Sequence, residues 1–119
     1  MIDNFFALLF HSRDYGHRAH LRTQSHAVHK ALDLFYKDLT EALDTLVEAY
    51  QGRVGLVNIP YVQADPNPED PCCVLDDHLK MIEALRYEAI PRGDTVLHNL
   101  VDEVCRVYLK ALYQLKYLK

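Results

Sequence analysis

The segment "GRVGLVNIPYVQADPNPEDP", Gly52 to Pro71, limits the fold of this chain more than any other. It holds four of the five prolines and two of the four glycines, so no long helix runs through it. On either side lie two helical stretches joined by short breaks, "RTQS" before it and "PRGD" after it. Short links make antiparallel hairpins of the helices they join. A link of about twenty residues in a compact domain is long enough to run from one end of a bundle to the other. The predicted fold is therefore a single all-α domain over residues 1–119, a four-helix bundle with one long crossover between helices 2 and 3.

One long crossover is the ferritin-like arrangement. The alternative is an up-down bundle with a loose loop. Helix 1 is expected from an Asp3 cap to about Arg22, and helix 2 from a Thr23 or Ser25 cap to Tyr50–Gln51, stopped by Gly52. The apolar seam of helix 2 reads Val28, Leu32, Phe35, Leu39, Ala42, Leu46 and Ala49, in steps of four and three. Asp70 followed by Pro71 starts helix 3, which reaches about Ile90 with Val74, Ile82, Leu85 and Ala89 inward. Asp94 caps helix 4, which continues to about Leu118 on a stripe of Leu97, Val101, Val104, Tyr108, Ala111 and Leu115.

Composition narrows the function. Half the residues are apolar and a quarter charged, as in ordinary globular domains, and no apolar run is long enough to span a membrane. "FFALLF" lacks the basic flank and cleavage site of a signal peptide. Cys72, Cys73 and Cys105 are odd in number and imply no disulfide framework, which fits an intracellular, cytoplasmic setting. A net charge of −4, with only the mixed cluster "HSRDYGHRAHLR" on the basic side, argues against DNA binding.

Within "HKALDLFYKDLTEALDTLVE", a His–Asp pair and an Asp–Glu pair are each spaced four apart. His29, Asp33, Asp44 and Glu48 fall within about 100° of one another around the helix, away from the seam. Asp33 and Asp44 are separated by about 16 Å of rise, so the two pairs cannot hold one ion within one chain. Antiparallel pairing of helix 2 with its own copy would set His29 and Asp33 opposite the copy's Asp44 and Glu48, giving two equivalent sites in a homo-oligomer. His17, near the end of helix 1, offers a further ligand. Imidazoles with carboxylates suit Fe(II), Mn(II) or Zn(II).

These five positions resemble the ferroxidase pattern of Dps, the DNA-binding protein from starved cells, in its spacing of His17, His29, Asp33, Asp44 and Glu48. "AVHKALDLFYKDLTEALDTLVE" looks like that family's second helix. The resemblance covers about Gly16 to Gln51. It implies a ferritin-like bundle binding iron between subunits, with Fe(II) oxidation and storage. Arg18 stands where the family carries a tryptophan, and no lysine-rich tail precedes helix 1. The segment "HRAHLRTQSHAVHKALDLFYKDLTEALDTLVEAYQG" is also similar to an uncharacterised family of small helical phage proteins. That similarity implies a viral origin, in the host cytoplasm or with the virion, and no activity. It leaves open a non-enzymatic interaction or structural protein that keeps the bundle.

Blander readings stand beside these. An acidic stripe alone is commonly a solvated face. His20 and His26 either line the same region or sit at the helix junction, the junction being the preferred reading. His78 and the Asp94–His98–Asp102 ladder have ligand-like spacing, the ladder being read as a surface feature with Asp94 as a cap. Most of the tyrosines read as edges of the core. Cys72 and Cys73, at a helix start, are candidates for lowered thiol pKa values but lack a basic partner.

Overall fold

The computed structural model describes residues 1–63 and 69–119. Four α-helices follow one another, α1 Ile2–Arg22, α2 His26–Arg53, α3 Pro71–Ala89 and α4 Thr95–Tyr117, with no strand among the described residues. None of these helices is long and apolar enough to cross a membrane.

Local chemistry sets most of the boundaries. Ser25, not Thr23, caps α2: its Oγ accepts from the Val28 amide at 3.2 Å, and Thr23 Oγ1 accepts from Ser25. Asp94 caps α4 by accepting from Leu97 at 3.2 Å. Pro71 opens α3 in its first turn, and Asp70 makes no capping bond. Two ends differ from expectation. Helix α1 starts at Ile2, so Asp3 lies inside the first turn, where a carboxylate favours the positive end of the helix dipole. Helix α2 runs through Gly52 to Arg53, the Val54 amide still bonding Tyr50 at 2.9 Å. A glycine in the last turn weakens a helix without ending it. The left-handed residue comes later, at Gly55 with φ 135°.

Helix α1 packs on α2 and α3, and α4 packs on the same two, while the backbones of α2 and α3 do not approach closely. Side-chain pairs give the directions. Phe6 meets Tyr50 and His20 meets His29, so α1 and α2 are antiparallel. Phe35 meets Tyr108 and Arg53 meets Asp94, so α2 and α4 are antiparallel as well. Ser12 meets His78, and Tyr15 donates to the Glu69 carbonyl just before α3, so α1 and α3 are antiparallel too. Helices α2 and α3 are therefore parallel and diagonal. The chain must travel the length of the bundle between them. Its described part does so along α1: Leu56, Val57 and Asn58 lie beside Ile2 and Asp3, and residues 59–62 lie beside Ala7 through Arg18. An up-down bundle would have set α2 against α3.

The core is centred on Phe5, Phe6, Leu9, Leu32, Phe35, Leu39, Ile82, Val104 and Tyr108. Every residue expected on the α4 stripe is buried. In α2, Leu43 and Tyr50 are buried, while Val28, Ala42 and Ala49 flank the core. In α3 only Ile82 of the expected inner residues is buried, together with Leu75, His78, Leu79 and Arg86. Val74, Leu85 and Ala89 are half-buried, because the covered face is the one that α1 and α4 close over between them. Gly16 is the notch that lets α1 approach α2. A Cβ there would stand 2.7 Å from Phe35 Cδ2.

Candidate metal centre

The α1–α2 turn brings a row of rings to one end of the bundle. His17 stacks on Tyr36 with centroids 4.1 Å apart, His20 stacks on His29 at 3.8 Å, and His26 lies 6.4 Å beyond His29. His20 and His29 clasp the two helices reciprocally. His20 Nδ1 donates to the His29 carbonyl, and His29 Nδ1 donates to the His20 carbonyl, each at 2.8 Å. A carbonyl oxygen only accepts, so both rings carry their proton on Nδ1 when neutral, and each Nε2 is left with a lone pair. The junction reading of His20 is correct, and the same bond orients the ring.

Asp33 stands one turn after His29. Its Oδ1 accepts from Lys37 Nζ at 2.9 Å and lies 3.8 Å from His20 Nε2. The hydrogen bond from Lys37 holds the Asp33 carboxyl below its ordinary value and raises the Lys37 ammonium in turn. Asp44 and Glu48 are exposed further along α2 and make no ion pair or side-chain hydrogen bond among the described residues. The chain thus gathers His17, His29 and Asp33 at one end and leaves Asp44 and Glu48 apart. Among the described residues, no three His, Cys, Asp or Glu side chains are grouped so as to hold an ion. Tyr36 and Lys37, on the same face of α2, and His20, across the turn, are the neighbours of these residues. The repeat of histidines at 17, 20, 26 and 29 was visible, but the register across "RTQS" that stacks 20 on 29 was not.

The Asp94–His98–Asp102 ladder, expected on the surface, is tied into the opposite end. His98 is 7 % exposed. Its Nε2 donates to the carbonyls of Pro91 and Ile90 at 3.1 and 3.3 Å, and its Nδ1 accepts from Arg86 Nε at 3.2 Å. Arg86 Nη2 also reaches the His98 carbonyl and Asp102 Oδ1, both at 2.8 Å, and Arg53 pairs with Asp94 at 3.1 Å. Each polar member of the ladder has found an arginine, because α3 and the end of α2 pack over it. The cysteines are free. Incomplete solvation and the nearby Asp70 charge push the exposed Cys73 thiol up, opposite to the effect expected at a helix start.

Family comparison agrees with the phage resemblance. The family of unknown function DUF5856 matches residues 20–115. A relative is the uncharacterized 14.6 kDa protein of the mobD-ri intergenic region of Enterobacteria phage T4, 29 % identical over 117 residues, covering 98 % of this chain and 85 % of that protein. No solved structure matches. The match takes in the α1–α2 turn from His20 onward with α2, α3 and nearly all of α4, most of α1 and His17 lying outside it, and the chain belongs to the family of unknown function DUF5856.

Proposed function

We propose that the protein binds a divalent transition metal, iron foremost and manganese or zinc as alternatives, at sites completed by a second copy of the chain. The observation that carries this reading is the His29 clasp. Its Nδ1 is committed to a carbonyl, and its Nε2 lone pair is free one turn from Asp33. Metal-bound histidines are oriented in this way by a carbonyl or carboxylate on the other nitrogen. The exposed Asp44 and Glu48 supply the remaining charge when two α2 helices pair antiparallel. In this reading His17, His29 and Asp33 come from one protomer and Asp44 and Glu48 from its partner. The parallel, diagonal placement of α2 and α3 supports a ferritin-like bundle, the scaffold on which the Dps resemblance would operate. With Fe(II) as cargo, oxidation by O2 or peroxide would turn binding into storage.

Complementation tests the shared site. Asp33→Ala and Glu48→Ala should each abolish Fe(II) binding, without adding when combined. A mixed dimer of the two single variants places both lesions in one site and leaves the other whole, so about half the capacity returns. No recovery in proven mixed dimers overturns the shared site. A second reading, a phage-encoded interaction protein without metal, is favoured by the exposed Leu109, Tyr113 and Tyr117 along α4. A protein that takes up no Fe(II), Mn(II) or Zn(II) would leave that reading standing.

A further inference from the structure

We propose that His20 is itself a metal ligand, forming with Asp33 an ion position that lies within a single chain and that His17 completes by turning off Tyr36. The inference rests on the reading that this end of the bundle takes a divalent transition ion. It does not need the second copy.

Three features of the α1–α2 turn lead to it. First, His20 is buried, 7 % exposed, and its Nδ1 proton is held by the His29 carbonyl. Its Nε2 lone pair therefore has a fixed direction, and ligation costs little reorganisation. Second, that Nε2 lies 3.8 Å from Asp33 Oδ1. In the Nδ1–H tautomer both atoms are acceptors, so no hydrogen bond joins them, and a cation is what draws such a pair together. Two ligands with bonds of about 2.1 Å on a tetrahedral ion sit about 3.4 Å apart, so the observed gap closes with a shift of a few tenths of an ångström. Third, the cation now on Asp33 is the ammonium of Lys37, a solvent-screened pair within one helix that contributes little. A dication displaces it readily.

The stack makes the assignment selective. The rings of His20 and His29 lie 3.8 Å apart and 21° from parallel. A metal sits in the plane of the imidazole that binds it, so one ion cannot lie in both planes. His20 and His29 therefore serve alternative positions, and His17 and Asp33 complete one of them at a time. His17, whose ring centroid is 6.3 Å from that of His20, supplies the third ligand. Two imidazoles and one carboxylate with open positions suit Fe(II), Co(II), Mn(II) or Zn(II).

Co(II) is the probe, on the full chain. Bound Co(II) shifts the Nδ1–H resonance of a ligating histidine far downfield, and the His29 carbonyl protects that proton of His20 from exchange. His20→Asn keeps a donor where Nδ1 was and removes Nε2. It should lose the shifted resonance and weaken Co(II) binding by about tenfold or more, the scale on which metal sites respond to loss of a supporting group. His26→Asn, exposed beyond the stack, should keep both the resonance and the affinity of this position. In the wild type, Zn(II) should move the 15N signal of His20 Nε2 and leave Nδ1 protonated, a readout that stands even where His20→Asn does not fold. An unmoved His20 Nε2 signal under saturating Zn(II), or His20→Asn binding within about twofold of wild type, overturns the proposal. The two readings separate cleanly. Loss with His20→Asn but not Glu48→Ala sinks the shared site alone, and the converse sinks this position alone.

Discussion

Both hairpin ends of the bundle are closed by histidine rings that donate to backbone carbonyls, yet they leave different chemistry behind. At the α3–α4 end, His98 donates through Nε2 to Pro91 and Ile90, and its Nδ1 is filled by Arg86. Nothing on the ring is left over. At the α1–α2 end, His20 and His29 each donate one Nδ1 proton and keep an unprotonated Nε2, with the Asp33 carboxylate nearby. The difference lies in the residue that faces the second nitrogen. An arginine makes the histidine a brace. A carboxylate makes it a candidate ligand. Burial does not separate the two cases, since His20 and His98 are equally covered.

The comparison can be broken from the brace side first. Arg86→Ala strands the Nδ1 of His98, its carbonyl and Asp102 at once, and should cost about 3 kcal/mol in urea unfolding while leaving metal uptake unchanged. A loss below about 1 kcal/mol would mean that the brace is not structural. Parallel asparagine substitutions sharpen the contrast. Asparagine can replace an Nδ1 donor but does not reach where Nε2 was. His98→Asn should therefore cost about 2 kcal/mol and His20→Asn under about 1 kcal/mol. Equal costs would erase the distinction between the two ends.

A third histidine asks whether burial alone could explain the pattern. His78 is packed between α1 and α3 with Nδ1 2.8 Å from Ser12 Oγ, and burial, followed by the nearby His11, lowers its pKa to about 4. The unfolded chain binds this proton near pH 6.5 and the folded chain only near 4, so the stabilisation is whole above 6.5 and drains away as the pH falls. Roughly 2 kcal/mol should be lost between pH 7 and 4, and the slope should vanish in His78→Gln. Gly16→Ala probes the clasp from one turn away. Forcing Phe35 aside should cost about 1–2 kcal/mol and loosen the His20–His29 stack, seen as faster exchange of the two ring protons. The smallest effect expected is on duplex DNA. With a net charge of −4, no band shift should appear at physiological salt, and tight, salt-sensitive binding would show a basic surface that the composition hides.

Much of the fold was legible because its signals are local. Ser25 and Asp94 cap as their side chains dictate, and the α4 stripe is buried as its spacing demands. The proline-rich link announced the crossover. What escaped depends on the neighbour across the interface. His98 looked exposed because Arg86 comes near it only when α3 folds back along α4, and nothing in the spacing of 94, 98 and 102 tells of that arginine. His20 looked like a junction residue because a short turn hides which ring faces which. His29 and Asp33 were found through one helical face. The imidazole nearest Asp33 lies on another helix, out of reach of any single-helix pattern.

The position of the described part of the link along α1 has a consequence for the order of assembly. Contacts between neighbours in sequence close quickly, and those that must wait for a long loop to close come later. His17, His20, His29 and Asp33 all lie within the first hairpin, between residues 17 and 33. Their clasp needs only a short turn to form. Docking of the α3–α4 pair must wait for the link to be drawn over α1. The nascent chain therefore presents its imidazoles together before its core is closed, and a metal caught at that stage would nucleate the bundle as well as occupy it.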